Sequence, residues 1–263
     1  MKKSTYILIG FLGALCLLAF LIPPVLFTNS DSNTLKLSDN YVSKEIPAFS
    51  VIRFKNPHLG GDDPLFRISA TSDSLKAGHI EINEAFANLK DGFRVSGDTL
   101  YIDMDLDKED TGRSHMRIED TDKPAAVLYV DRSQKPCTLM MNPFMDVELK
   151  GLDGADFIVY GNGLLTVSES NIHTMEMMPK GDSYDYYGFS LQLKDNSNIG
   201  KLDVKNDGFD IKTSDSNIDT IFVSAEYVAD LNLKGADFST LITSDTCSSV
   251  NITLKGEATI SKE

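Results

Sequence analysis

One short pattern is written twice in the second half of the chain, and it constrains the fold more than any other feature. Leu191–Ile199 (LQLKDNSNI) is followed by Asp210–Ile218 (DIKTSDSNI), a shift of 19 positions (210 − 191). Looser copies occupy Leu165–Ile172 and Leu231–Phe238. Each copy is a short alternating strand, a polar corner and a fresh apolar residue, and a period of about 20 residues with this content is typical of a β-solenoid. The pattern indicates an architecture, not a particular chemistry.

The repeat predicts a mainly β fold, a single-stranded β-solenoid with coils of about 20 residues. Segments at this spacing run from Val147 to Ile260. Their corners are rich in Asn, Asp and Ser, and stacked Asn and Asp can hydrogen-bond from coil to coil and tolerate left-handed backbone. One coil is longer, since Asn171 and Asn198 are 27 positions apart (198 − 171), and the excess falls in Pro179–Gly188.

The N-terminal residues predict an export signal. Lys2 and Lys3 precede an uncharged run, residues 6–27, which is long enough to cross a bilayer as a helix. The positive flank predicts a cytoplasmic N-terminus and export of the rest. Residues 1–28 are therefore predicted to be a signal peptide or an uncleaved signal-anchor helix. Residues 29–44 are rich in Ser, Asn and Asp and predict a polar tether.

The solenoid domain is predicted to span residues 45–263, and its first part is built from less regular strands. Four segments with alternating, β-branched or aromatic residues predict these strands: Phe49–Phe54, Leu65–Ile68, His79–Ile82 and Thr99–Met104. Residues 105–123 are dense in charge and nearly empty of large apolar side chains. They predict a charged loop inserted into the domain.

The net charge of the chain argues against two classes of partner. The net charge of −14 argues against nucleic acid as a partner, because its phosphates need clustered Lys and Arg, and against docking on anionic lipid.

Cys137 and Cys247 lie roughly five coils apart, on the order of 25 Å at the spacing of strands in a sheet. The two could pair in an oxidising compartment, but if the coils between them are regular this distance is too long for a disulfide, and both are then predicted to be buried free thiols. Five methionines are predicted to fill the core: Met140, Met141, Met175, Met177 and Met178.

The order of these segments resembles the auto-transporter adhesin head GIN domain family of bacterial envelope proteins. The resemblance rests on the export signal, the opening strand at Phe49–Phe54, the strand Gly97–Ile102 (GDTLYI) and the repeats with Asn, Ser and Asp corners, and it covers about residues 45 to 260. It implies a right-handed β-helix in the extracytoplasmic bacterial envelope, in the periplasm or at the cell surface. The protein would be anchored in a membrane through residues 6–27 or secreted. The family brings no catalytic residues to this chain, and the charged insertion after Asp105 departs from its pattern.

The insertion in the long coil is the predicted contact site for a partner. It contains Tyr184, Asp185, Tyr186 and Tyr187, and tyrosine offers rigid apolar area with a polar tip, which is favoured at interfaces. Alternatively, the rings cover the adjacent coil. The predicted function is non-catalytic: the solenoid surface serves in adhesion, binding an envelope or host protein or a glycan.

Two other functions stay open. A carbohydrate-processing β-helix enzyme would need apposed carboxylates, and Asp195, Asp215 and Asp237 could line up on neighbouring coils. A structural module could assemble end to end through the last strand, Ile252–Ile260, giving a homo-oligomer. The histidines are scattered and no phosphate-binding or metal-binding motif is present, so neither a metal site nor a cofactor is predicted.

Overall fold

The described part of the molecule is mainly β. The computed structural model describes residues 33–55, 63–73, 75–103, 116–120, 122–131, 137–142, 145–178, 189–205, 209–223, 231–233, 236–243, 250–251 and 259–262. Contacts divide the chain into residues 1–34 and a compact unit, Leu35–Glu263, which contains both large sheets. The predicted signal or anchor helix, residues 1–28, lies outside the described residues. Among the residues that are described, no helix is long and apolar enough to span a membrane.

Among the described residues, twenty strands form two sheets of ten strands each. In spatial order, the first sheet contains β2 (Tyr41–Glu45), β5 (His79–Asn83), β9 (Ala126–Asp131), β4 (Leu65–Thr71), β11 (Asp146–Lys150), β13 (Gly163–Ser168), β15 (Phe189–Lys194), β17 (Phe209–Thr213), β19 (Leu231–Asn232) and β21 (Val250–Asn251). The second contains β6 (Phe93–Ser96), β7 (Thr99–Ile102), β3 (Val51–Phe54), β10 (Cys137–Met140), β12 (Asp153–Tyr160), β14 (Asn171–Met178), β16 (Asn198–Val204), β18 (Asn217–Val223), β20 (Phe238–Thr243) and β22 (Thr259–Lys262). A separate pair consists of β1 (Asn33–Lys36) and β8 (Met116–Glu119).

From β10 onward, the chain alternates between the two sheets. Each strand therefore pairs with the strand two places further along the chain, and all of these pairs are parallel. The first end of the molecule is built differently, with antiparallel pairs between β2 and β5, β5 and β9, and β6 and β7. A 3-10 helix, Glu84–Gly92, lies between β5 and β6. The prediction of a mainly β fold with a less regular first part is confirmed.

The core lies along the inward positions of the strands. In β15, for example, Phe189, Leu191 and Leu193 are at most 1% exposed, while the residues between them face outward. The rings of Phe189 and Phe209, which are neighbours in the first sheet, stack with their centroids 5.1 Å apart. The alternation of apolar and polar residues thus sets which side of each strand is buried, because successive side chains point to opposite faces.

The two copies of the repeat are neighbours in both sheets, but their shift is not constant. In the second sheet Asn198 pairs with Asn217, which is the predicted shift of 19 positions (217 − 198). In the first sheet Leu191 pairs with Ile211, a shift of 20 positions (211 − 191). A constant shift of 19 would place the buried Leu191 beside Asp210, whose side chain faces outward. Such a slip would move every side chain of the strand to the wrong face.

The corner between the first-sheet strand and the second-sheet strand differs in length between the two copies, which accounts for the two shifts. In the first copy two consecutive residues, Asp195 and Asn196, have a φ of 58°. In the second copy the corner is one residue shorter, and Asp215 alone has a positive φ, of 50°. Asn and Asp adopt this left-handed conformation more readily than other residues with a side chain. The Asn and Asp residues of the corners therefore allow the left-handed backbone of these turns, as predicted.

Buried serines, which the sequence did not single out, make the hydrogen bonds between stacked corners. The N–H of Ser170 donates to the Oγ of Ser197 over 3.2 Å, and the N–H of Ser197 donates to the Oγ of Ser216 over 3.0 Å. Ser170 and Ser197 are 3% and 2% exposed. Their hydroxyls satisfy backbone groups that water cannot reach, and a buried backbone donor left unpaired would be costly.

Two segments predicted to lack structure contain strands. The polar tether, residues 29–44, includes β1 and most of β2, and Leu37 beside them is 2% exposed. The charged loop, residues 105–123, includes β8, in which Ile118 is 3% exposed. In both segments a few apolar residues alternate with polar ones, so the average composition conceals a strand pattern. Residues 104–115 lie outside the described residues.

The prediction of buried free thiols is confirmed for one cysteine. Cys137 is 8% exposed and unpaired. Burial raises its pKa to about 12, so the thiol stays protonated and unreactive at neutral pH. Cys247 lies outside the described residues.

Candidate functional site

A row of six outward residues crosses the second sheet from β6 to β14. Each pairs directly with the next: Arg94 with Tyr101, Tyr101 with Arg53, Arg53 with Met140, Met140 with Tyr160, and Tyr160 with Met178. We call these six residues the outer strip. Because adjacent strands are about 4.8 Å apart, the strip is roughly 24 Å long.

The strip differs from the surface expected for a β structure in water. The two arginines are exposed, and the other four side chains are half-buried. A second outward row beside it alternates threonine with apolar residues, in the order Thr99, Val51, Thr138 and Ile158. Tyr, Met and Arg are the residues enriched at protein interfaces, where Lys, Glu and Ser are depleted. A contiguous patch of this kind is typical of a contact site.

Among the described residues, no carboxylate forms an ion pair with either of the two arginines. Across the described ranges, neither Arg53 nor Arg94 has a carboxylate within ion-pair distance. The guanidinium of Arg94 lies 5.6 Å from the ring centroid of Tyr101, a cation–π contact. Acidic residues outnumber basic ones, 39 to 25, so two arginines separated only by Tyr101, and without an ion pair among the described residues, are unusual in this chain.

Two carboxylates lie beside the opposite end of the strip. Two positions before Met178 on the same strand, Glu176 pairs with Asp203 of β16 in the second outward row. The Nζ of Lys205 lies 3.1 Å from Glu176 and 3.6 Å from Asp203, so one cation is shared by two carboxylates. The outer strip is therefore cationic at Arg94 and Arg53, and the second outward row beside its other end carries the carboxylates of Glu176 and Asp203 with their shared Lys205.

The predicted contact residues Tyr184, Asp185, Tyr186 and Tyr187 lie outside the described residues, as does all of 179–188. The outer strip was missed because its members are far apart in sequence. The prediction that five methionines fill the core is confirmed for Met141, Met175 and Met177, and is wrong for Met140 and Met178, which face outward. Outward strand positions occupied by Tyr, Met and Arg were the available signal.

The three aspartates considered for catalysis occupy exposed corners. Asp195 and Asp215 adopt left-handed backbone, and the N–H of Asp237 donates to the Thr213 hydroxyl over 2.7 Å. The carbonyl of Asp215 accepts the N–H of Asn196 over 3.1 Å. These contacts account for the aspartates as corner residues.

A buried carboxylate lies on the outer face of the first sheet. Glu148 is 4% exposed, and the Nε of Arg67 donates to its Oε2 over 2.7 Å. The Ser168 hydroxyl donates to its Oε1 over 2.8 Å, and the Nζ of Lys194 lies 3.5 Å from the same oxygen. Burial by itself would raise the pKa of Glu148, but these hydrogen bonds and cations outweigh it and lower the pKa. Glu148 is therefore a paired anion rather than an acid poised to donate a proton.

The pKa of Asp146, on the same strand, is shifted in the opposite direction. Burial, assisted by the nearby charge of Asp63, raises its pKa to about 6. Carboxyl groups with raised pKa values occur at catalytic sites, where they serve as general acids. Among the described residues, however, no group of three or more His, Cys, Asp or Glu side chains could hold a metal ion.

The raised pKa of Asp146 predicts a pH-dependent effect of Asp146→Asn. The folded-state pKa lies above the ordinary value of 3.8, so the stability that the protonated carboxyl contributes is present below about pH 4 and is lost as pH rises through 6. We expect the variant to gain about 1 kcal/mol of unfolding free energy relative to the native chain between pH 4 and pH 8, a modest value because solvent screens the partly exposed group. Urea unfolding at both pH values measures it, with the exposed Asp91→Asn as control. An equal difference at the two pH values would contradict the raised pKa.

Comparison with known proteins finds no family model, no curated protein and no solved structure that matches this chain.

Proposed function

We propose that this chain is a non-catalytic protein of the extracytoplasmic bacterial envelope that binds a protein or glycan partner on the outside of a right-handed β-helix. The two sheets are then two faces of the helix, and each pair of successive strands belongs to one coil. Alternation of the chain between parallel sheets supports this architecture. The apolar run of residues 6–27 supports export and membrane anchoring.

The outer strip is the observation that carries the binding function. It gathers two arginines, two tyrosines and two methionines on one sheet face. Strand pairing already uses the backbone groups of these strands, so a partner contacts the strip through side chains. The proposed adhesin-like role, similar to that of the GIN domain family, places the partner contact on this face instead of requiring a catalytic cleft.

Binding of the full chain, purified in a mild detergent, to an array of glycans and matrix proteins tests the proposal. We expect Tyr160→Ser to weaken binding about tenfold or more, since a tyrosine in an interface core commonly contributes over 1 kcal/mol. Phe222→Ser is the matched control, because Phe222 is an outward, half-buried aromatic residue of the same sheet beyond the strip.

The chain with Tyr184, Tyr186 and Tyr187 changed to Ala is measured beside these variants. Loss of binding in that chain alone would place the site on residues 184–187 and remove the strip from the function. Equal binding by the native chain and Tyr160→Ser would overturn the proposed role of the strip.

A carbohydrate-processing enzyme is the second candidate function, because the raised pKa of Asp146 fits a general acid. Release of reducing ends from array glycans by the native chain, abolished in Asp146→Asn, would favour it over the binding protein.

A further inference from the structure

We propose that the partner of the outer strip is an acidic polysaccharide that carries a carboxylate on every second sugar. This inference rests on the proposed binding function and names the chemical class of the partner. Three properties of the strip support it: the charge of its arginines, the distance between them, and its place in the middle of a sheet.

The cationic end of the strip is complementary to carboxylates. Arg53 and Arg94 are exposed, and among the described residues no carboxylate forms an ion pair with either. Asp103 lies two positions beyond Tyr101 on the same side of the chain, but it is ion-paired with Lys55 over 3.3 Å and so adds no net charge. A guanidinium can form two parallel hydrogen bonds with one carboxylate, and such charge-assisted bonds are roughly twice as strong as neutral ones.

The acidity of the whole chain does not prevent this contact. At physiological ionic strength, mobile ions screen charges over about 8 Å, so carboxylates farther away than that act weakly at the strip. In the second outward row, the carboxylate nearest Arg53 is Glu176, three strands away or roughly 14 Å. Glu176 is also paired with Lys205. The local charge of the two arginines therefore decides whether an anionic polymer is attracted to this face.

The distance between the arginines fits a polymer with regularly placed charges. Arg94 and Arg53 are separated by the strand of Tyr101, so their backbones lie roughly 10 Å apart, about the length of two sugars in an extended polysaccharide. The guanidinium of Arg94 lies 5.6 Å from the Tyr101 ring centroid, and this contact restrains one of the two charges. Carboxylates on alternate sugars can therefore meet one arginine after the other.

The rest of the strip suits sugar rings. Met140, Tyr160 and Met178 follow Arg53 across the sheet, and all three are half-buried. The C–H face of a pyranose ring can pack on this apolar surface, and a tyrosine adds a hydroxyl that hydrogen-bonds to the sugar. A polysaccharide that crosses the strands thus meets charged groups first and apolar ones next.

An acidic peptide fits the strip less well than a polysaccharide does. An extended peptide commonly adds to a free sheet edge through backbone hydrogen bonds. The middle strands of the strip, β7, β3, β10 and β12, each pair with a neighbour on both sides, so the ladders already use their backbone groups. The partner is therefore held by side chains, which suits the carboxylates and ring faces of a sugar polymer.

Binding of hyaluronan oligosaccharides, which carry a carboxylate on every second sugar, tests the inference. The full chain is immobilised in mild detergent, and biolayer interferometry measures its affinity for three probes. These are the oligosaccharides, the same oligosaccharides with each carboxylate reduced to an alcohol, and poly-glutamate as an acidic peptide. We expect hyaluronan to bind at least about tenfold more tightly than either other probe, because the reduced sugars lose the charge-assisted hydrogen bonds and the peptide has no sugar rings.

Variants of the chain test whether the arginines hold the carboxylates. Arg53→Gln and Arg94→Gln are each expected to weaken hyaluronan binding about tenfold. Arg53→Lys keeps the charge but cannot form two parallel bonds, so its affinity should fall between those of the native chain and Arg53→Gln. Lys201→Gln is the matched control and should bind like the native chain. Lys201 is an exposed cation of the same sheet beyond the strip, and its Nζ likewise lies over an aromatic ring, 5.7 Å from the Phe222 centroid.

Four results would overturn the inference: equal binding of intact and reduced oligosaccharides, poly-glutamate bound as tightly as hyaluronan, equal losses in Lys201→Gln and the arginine variants, or no binding of hyaluronan to a chain whose circular dichroism shows folded β structure. If array binding still depends on Tyr160 in any of these cases, the proposed function stands while its assignment to an acidic polysaccharide fails. If Tyr160→Ser also leaves array binding unchanged, the proposed role of the strip fails as well.

Discussion

Gly161→Ala is expected to lower the free energy of unfolding by about 4 kcal/mol, the largest effect of any single change considered. Gly161 joins β12 to β13 with a φ of +105°, a conformation that residues with a side chain rarely adopt. A Cβ at this position would lie 2.6 Å from the carbonyl oxygen of Met141. The N–H of Met141 is bonded to the carbonyl of Tyr160 over 2.8 Å, so the backbone of Met141 cannot retreat without breaking that bond.

Gly97→Ala is the matched control for this change. Gly97 also has a positive φ, of 65°, but a Cβ there would meet nothing within 4 Å. The control therefore isolates the cost of the left-handed backbone, about 1 kcal/mol. Urea unfolding followed by circular dichroism compares the two variants. Similar losses of unfolding free energy in both variants would contradict the prediction, because they would show that the backbone of Met141 moves away from the added Cβ.

Arg67→Met is expected to lower the free energy of unfolding by about 3 kcal/mol. The change leaves the Glu148 carboxylate, which is 4% exposed, with Ser168 and Lys194 as its remaining partners. An incompletely paired buried charge is costly because the low-dielectric interior replaces water around it. Burial would then raise the pKa of Glu148 above its native, lowered value, so the variant should lose less stability than the native chain when pH falls from 7 to 4.

Two further chains separate lost pairing from lost packing. The double variant Arg67→Met with Glu148→Met removes both charges and should recover most of the lost stability, since apolar replacement of a buried pair is often nearly neutral. Lys150→Met breaks an exposed pair with Glu169, 3.1 Å apart, and should change stability by less than about 0.5 kcal/mol. A double variant as unstable as Arg67→Met would contradict this account, because the cost would then come from lost packing.

Local sequence pattern predicted the individual strands well. The segments Phe49–Phe54, Leu65–Ile68 and His79–Ile82 fall on β3, β4 and β5, because alternation along one strand reports directly which side is buried. The pattern failed where few apolar residues were embedded in a polar segment. Leu37 and Ile118 are buried beside or within short strands that the average composition of their segments concealed.

The sequence by itself determined the strand content, the period of about 20 residues and the left-handed corners, because these depend on residues close together in the chain. The tertiary structure alone decided that Leu191 pairs with Ile211 and not with Asp210, since the register of two strands depends on burying both apolar faces at once. It alone also brought Arg94, Tyr101, Arg53, Met140, Tyr160 and Met178 into one row. These residues are separated by up to 125 positions (178 − 53), and the pairing of distant strands within one sheet, not spacing along the chain, makes them neighbours.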